Sequence, residues 1–279
     1  MHNRSWLIVP GDNETKLLAA ASAGADAVVI DLADTVPPDR KARARALAAE
    51  WLSARRQHIT EGRRVERWVR INPFDSQHWR DDLAAVMAGA PDGIVLPHCA
   101  GPASVQQLAA ELYEREQALH LPNGSVRILP LAGETPAAVL GLRSYLETAM
   151  PRLAGLSWRP QHLAAALGGA APRDTAASWR GAFSHLRTEV LLVAHAAGLQ
   201  AVETCHAAAG DVEGLDAAVQ AARLDGFTGM MAIHPAQLAH INAAFGPADS
   251  DEGEAAPGSA SLRAGAAPAL SRASILRLA

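Results

Sequence analysis

Charged and nitrogen-bearing side chains stand at the ends of several short apolar stretches of this 279-residue chain, and their types suggest what chemistry they could perform. Glu134 closes the run RILPLAGE directly before Thr135-Pro136, and Arg70 ends RWVR before Ile-Asn-Pro. Asp31 and Asp34 follow AVVI, His98 and Cys99 follow GIVLP, and His234 follows MMAI. A carboxylate at the end of a buried stretch can hold a divalent cation, accept a proton or cap the next helix. Thr135 can serve as that cap by itself, with Pro136 in the first helical turn, which leaves Glu134 available for other work. An arginine in an apolar stretch is costly to bury without an anion, and its planar fork suits a carboxylate or phosphate. Arg70 is therefore predicted to clamp the anionic group of a substrate, the alternative being a structural salt bridge. Of Asp31 and Asp34, one is a candidate helix cap, and at least one is expected to face the site. His98 and Cys99 are neighbours on a strand, so their side chains point to opposite faces and do not make a nucleophile pair. Cys99 is predicted to pack in the core and His98 to stand on the rim. His234 and Gln237 fit a strand-to-helix turn, where His234 has a structural or substrate-binding role.

Such residues act together only if the elements carrying them converge. Eight short strand candidates run through the chain: 6–10, 27–32, 67–71, 93–97, 127–132, 162–167, 200–204 and 230–235. Amphipathic helix candidates alternate with them, among them ETKLLAAASAGA and DVEGLDAAVQAARLDGF, the second opened by acids and followed by Gly226. This alternation predicts an α/β fold, a single-domain (β/α)8 TIM barrel over residues 1–245, with its chemistry at the C-terminal ends of the strands. Residues 246–279, rich in Gly, Ala, Ser, Pro and acid, are predicted to be a linker followed by a short C-terminal helix.

Composition narrows the functional classes. With 49% hydrophobic and 19% charged residues the chain is globular, and a formal net charge of -4 argues against general affinity for nucleic acid or anionic membrane. Two cysteines make no disulfide framework, and the start MHNRSWLIVPGD lacks the basic and apolar regions of a secretory leader. No apolar run reaches the roughly 18–20 residues that span a bilayer. A cytoplasmic protein that binds small molecules or its own copies is predicted.

The order SWLIVPGD, GADAVVIDLAD, VRINP, DGIVLP, GETPAAVL, AALGG, AAGLQAVET and AIHPAQ resembles the citrate lyase β-subunit-like branch of the HpcH/HpaI aldolase superfamily, from about Arg4 to Phe245. The resemblance implies a (β/α)8 barrel that assembles as a homo-oligomer, a trimer in the first instance. It also implies a Mg2+-dependent carbon-carbon lyase acting on an acyl-CoA thioester or an oxo acid. Carried over by position, Glu134 takes the first metal-ligand place and Arg70 the place that holds the substrate's carboxylate or carbonyl, making these two the catalytic pair. Asp31, Asp34 and His234 join Arg70 as substrate-binding candidates. The pattern is also broken: Ala33 replaces a glutamate, and Ala171 in GGAA falls where the resemblance expects the second metal-binding carboxylate. Asp174, three residues on, is the candidate replacement ligand. Glu203-Thr204 stands for an Asp-Thr pair, as an acid that reaches the mouth or one that pairs with an arginine. The resemblance thus supports two readings, a lyase with a thinned Mg2+ site and a CoA thioester as a candidate substrate, or a non-catalytic binding or assembly relative that keeps the barrel. The surviving Arg70, Glu134, Asp31 and Asp34 favour the enzyme.

Overall fold

The structure, a computed structural model, describes residues 2–54, 59–60, 63–175 and 178–246, the side chains of 59, 60, 63, 174 and 175 excepted. Eight strands pair in parallel and close on themselves: β1 (Ser5–Pro10), β2 (Ala27–Asp31), β3 (Glu66–Arg70), β4 (Gly93–Cys99), β5 (Arg127–Ala132), β6 (Gly155–Trp158), β7 (Gln200–Glu203) and β8 (Gly229–Ala232). β8 returns to β1 through Ser5 opposite Met230, so the sheet has no edge.

Strand side chains alternate between two packed layers, as the two-residue period requires. Trp6, Val29, Trp68, Val95, Leu129 and Met231 fill the barrel interior. Their neighbours Leu7, Val28, Ile30, Val69, Ile94 and Ile128 belong to the larger core formed with the surrounding helices. The N-terminal end of the barrel is plugged by Trp6 and Trp68, whose rings meet edge to face at 5.0 Å. Gly93 makes room for this plug, since a Cβ there would lie 2.1 Å from the Trp68 ring. The same alternation turns Asp31 and Arg70 inward at the opposite end, where they are register partners across β2 and β3.

The helices are α1 (Glu14–Ala20), α2 (Lys41–Ala54), α3 (Trp79–Val86), α4 (Pro102–Ala118), α5 (Pro136–Leu140), α6 (Pro160–Ala166), α7 (Gly181–Ala196), α8 (Val212–Asp225) and α9 (Leu238–Ala244). One sequence expectation is corrected here. The run HLAAAL is not the sixth strand: it lies in α6, and the strand is the preceding GLSW. Alanine and leucine are strong helix formers, and Pro160 occupies the first turn of α6, so the apolar run follows its intrinsic preference.

Contacts group Met1–Gly246 as one unit and Pro247–Ala279 as another; the predicted linker and terminal helix fall in the second, outside the described residues. Among the described residues, no helix is long and apolar enough to cross a membrane.

Candidate functional site

The C-terminal ends of the strands carry a continuous set of charged groups. Arg70 and Asp31 form a two-pronged ion pair, Arg70 Nε donating to Oδ1 at 2.7 Å and Nη2 to Oδ2 at 2.6 Å. Asp31 is wholly buried and also accepts from the Ala33 and Thr35 amides and from Thr35 Oγ1. Burial alone would raise its pKa, but Arg70's charge and these hydrogen bonds outweigh that, so the carboxyl titrates below its ordinary value. The loop after β2 is held from behind by Lys41, whose Nζ donates to the Leu32 and Ala33 carbonyls and to Asn72 Oδ1.

Nearer the rim, Arg159 donates to Asp34, and Asp34 lies 3.6 Å from Arg70 Nη2. Between these groups and the interior is a cavity of about 110 Å3, lined by Arg70, Arg159, Val29, Leu131, Ser157 and Met231 among others. Arg70 Nη1 has no hydrogen-bond partner among the described residues. Ser157 Oγ is likewise buried without a partner. Two donors therefore border the cavity with hydrogen bonds still to make, an arrangement that favours a small polar ligand over an empty space.

Beside this cavity stands Glu134. The strand turns at Gly133, whose φ of +73° is natural for glycine, and a Cβ there would lie 2.1 Å from Leu186. Thr135 Oγ1 accepts from Ala138 N and caps α5, so Glu134 is free of that duty, as the sequence suggested. Glu134 is buried and accepts from the His98 amide at one oxygen and from His162 Nδ1, at 2.7 Å, at the other. His98 reaches this position through a bulge in β4: four residues, Leu96 to Cys99, run against three of β5, Pro130 to Ala132. His98 itself has φ +50°, an uncommon conformation for a residue with a Cβ, and its side chain faces the mouth while Cys99 enters the core. His98 Nε2 lies 3.2 Å from His162 Nε2. The hydrogen bond to Glu134 raises the pKa of His162 above its ordinary value despite partial burial.

The structure brings Arg70, Asp31, Asp34 and Glu134 to one mouth, but it changes the reading of several positions. Asp31 is committed to Arg70 and the β2 loop, so it positions the arginine rather than meeting a ligand. His234 accepts from Ala236 N through Nδ1 and forms a reciprocal cap with Gln237, so it is a helix-capping residue in place of a substrate-binding one. Glu203 points outward from β7 by strand parity, accepting from Arg187 and Trp158 Nε1, so it pairs with an arginine and does not reach the mouth. Asp174 belongs to the short strand Arg173–Thr175, and its side chain lies outside the described residues. Ala171 is exposed beyond α6 and is not at the end of β6. The side chain that meets Glu134 from that quarter is His162, in the first turn of α6. His162 and Arg159 were missed because the strand was misplaced; Pro160 is the signal that would have found them, since proline marks a helix start.

Among the described residues, His98, Glu134 and His162 form a group whose ligand atoms all lie within 4.8 Å of one another. Comparison with known proteins places this mouth in context. A family model described as HpcH/HpaI aldolase/citrate lyase matches residues 4–235. A (3S)-malyl-CoA thioesterase of Cereibacter sphaeroides is 34% identical over 248 residues, 89% of this chain and 79% of that protein. The citrate lyase beta subunit of Mycobacterium tuberculosis, complexed with oxaloacetate and magnesium, superimposes with a TM-score of 0.70 at 30% identity, covering 88% of this chain and 97% of that one. The CitE protein of the same organism, in complex with magnesium, acetoacetate and coenzyme A, gives a TM-score of 0.70 at 29% identity, covering 88% and 82%. With the barrel and the matched length in agreement, the chain belongs to the HpcH/HpaI aldolase/citrate lyase family, in its citrate lyase beta subunit-like branch.

Proposed function

We propose that the protein is a carbon-carbon lyase acting on a small oxo acid or on an acyl-CoA thioester that yields one, with Arg70 holding the acid's carboxylate. The observation that carries this reading is the Arg70 guanidinium, held at Nε and Nη2 by Asp31, lining the small cavity and with Nη1 unpartnered among the described residues. A cavity of about 110 Å3 suits a short acid. Ser157 Oγ supplies a second hydrogen bond to such a ligand, and Val29, Val95, Leu131 and Met231 exclude water around it. In the cleavage, the bond between the hydroxyl-bearing carbon and the acyl α-carbon breaks and its electron pair stays on the acyl fragment as an enolate. The hydroxyl carbon becomes the carbonyl of the oxo acid as its O–H proton passes to water at the mouth, and a proton returned from water to the enolate carbon gives the acyl thioester. Because Arg70 is already paired and oriented, its free N–H meets the developing oxo acid without reorganisation.

The magnesium of the related structures suits this mouth poorly. Mg2+ demands octahedral oxygen ligands and is held by one or two carboxylates with several waters. Here Glu134 is the one carboxylate of the cluster, Asp31 is occupied by Arg70, and the other two donors are imidazoles. No step of the proposed reaction is therefore assigned to Mg2+.

Malyl-CoA is the test substrate. Release of glyoxylate together with acetyl-CoA would carry the proposal, and loss of that release in Arg70→Ala would tie it to the cavity. Malate and free CoA without glyoxylate would mark a thioester hydrolase instead. Binding with no turnover under any divalent metal would mark a non-catalytic relative.

A further inference from the structure

We infer that His98 and His162, with Glu134 orienting His162 from behind, form a site for a divalent transition metal of the Co2+ or Zn2+ type, in place of Mg2+. The inference concerns the same mouth as the proposed lyase but stands on the donor atoms alone, so metal binding measured without substrate tests it separately from the reaction.

Three features of the cluster point to a cation. The first is proximity: the two Nε2 atoms lie 3.2 Å apart, with ring centres 4.4 Å apart and planes crossing at 82°, so one ion can reach both nitrogens. Nitrogens at ordinary bond lengths of about 2.0–2.1 Å from one ion, and 3.2 Å from each other, subtend about 100° there, between the octahedral and tetrahedral angles.

The second is the opposite edge of each ring. His162 Nδ1 meets Glu134 Oε1 at 2.7 Å, and His98 Nδ1 faces Asp75 Oδ2 at 3.4 Å. A carboxylate on Nδ1 is the arrangement that fixes the tautomer of a metal-binding histidine, placing the proton on Nδ1 and the lone pair on Nε2. With both rings in that tautomer, two lone pairs confront each other at 3.2 Å, and an electrophile between them removes the repulsion.

The third is charge and access. Glu134 is buried beside the pair, whereas the two histidine side chains are each 32% exposed, so an ion can enter from the mouth and keep coordination positions open to water or a ligand. The bulge and the positive φ of His98 are what bring a strand residue into this cluster. Two imidazole nitrogens facing the ion, with Glu134 held behind His162 on Nδ1, select against hard Mg2+ and for borderline ions, for which imidazole is a favoured ligand.

The test uses the full, untagged chain stripped of metal, titrated calorimetrically with CoCl2 and MgCl2, with the visible absorption of Co2+ as a second readout. One Co2+ per chain, bound at least 100-fold more tightly than Mg2+ and with a visible band that His98→Ala and His162→Ala each weaken at least 10-fold, is the expected result. His162→Asp should reverse the preference, losing Co2+ affinity and gaining Mg2+ affinity; circular dichroism confirms that each variant is folded. Equal or tighter binding of Mg2+ by the wild type overturns the inference. So does stoichiometric Co2+ retained in the His98→Ala/His162→Ala double variant, which would place the ion elsewhere among the 11 histidines. Absence of Co2+ binding in the folded wild type also overturns it, and would mean that the two rings share only a proton. Lyase turnover on malyl-CoA with Mg2+ alone at a Co2+-selective site would sustain the metal inference while separating it from catalysis.

Discussion

Replacing Asp31 by asparagine removes one charge and almost no volume, so it isolates what the carboxylate does for Arg70. In the wild type, Asp31 Oδ1 accepts from Arg70 Nε and the Ala33 amide, and Oδ2 accepts from Arg70 Nη2, the Thr35 amide and Thr35 Oγ1. An amide keeps one acceptor oxygen and turns an NH2 group toward donors, leaving a guanidinium that is 3% exposed without a full counter-charge. Breaking a buried pair by removing one partner costs about 3–5 kcal/mol. For a domain of this size about 2–4 °C accompany each kcal/mol, so Asp31→Asn should lower Tm by about 6–20 °C at pH 7. Because the folded carboxyl titrates below its ordinary value, its contribution is complete above about pH 4 and is lost as pH falls through the folded value. The melting curves of wild type and variant should accordingly converge in acid. The double variant Asp31→Leu/Arg70→Met should regain part of the stability, since an apolar pair replaces the ionic one while the Ala33 and Thr35 donors lose their acceptor, yet bind no oxo acid. Differential scanning calorimetry and titration with oxaloacetate provide both readouts. A single variant that melts within about 2 °C of wild type at pH 7 and binds oxaloacetate normally would refute the role given to this pair.

Arg70→Lys should weaken oxo acid binding at least about 10-fold while costing less stability than Asp31→Asn, because the ammonium keeps the charge but not the planar fork; paired melts and titrations check this. Ser157→Ala should leave Tm unchanged or raise it slightly, since the hydroxyl has no partner among the described residues, and should lower oxo acid affinity about 2- to 10-fold in the same titrations. Arg187→Met should lower Tm without changing oxo acid affinity, because buried Glu203 loses its cation on the outer side of the barrel, away from the mouth; activity in step with the folded fraction checks it.

Much of this molecule was legible from its sequence because the barrel imposes local patterns. AVVID, RILPLA and GIVLP are dense in β-branched and aliphatic residues and appear as strands, and an acid or arginine after such a run stands at the mouth simply because the strand stops there. Thr135-Pro136 gave the start of α5 by the same local logic. GLSW failed the pattern: it has four residues, no valine or isoleucine, and a serine facing inward. The alanine-rich stretch beyond it mimicked the apolar run of a strand, and shifting the strand concealed His162. The bulge in β4 left no sequence mark either, since Leu-Pro-His-Cys reads as an ordinary strand end and the extra residue is defined only against β5. Asp31 was placed correctly in the chain, but its task depended on Arg70, 39 residues away. The partners of His234 are local, Ala236 and Gln237, and of its two readings the structural one is what the cap shows.

The Trp6–Trp68 plug has a kinetic consequence. A barrel stoppered at one end has a single door, so everything that reaches Arg70 must pass Asp34 and Arg159 at the rim and return the same way. In a cleavage giving two fragments, the one seated at Arg70 lies behind the one seated at the rim. Departure is then compulsory in order, outer fragment first, and in the condensing direction the inner acid must arrive first. Product inhibition should be asymmetric: the small acid competes with the intact substrate for the free protein, while the outer product gives mixed inhibition by re-entering before the acid has left.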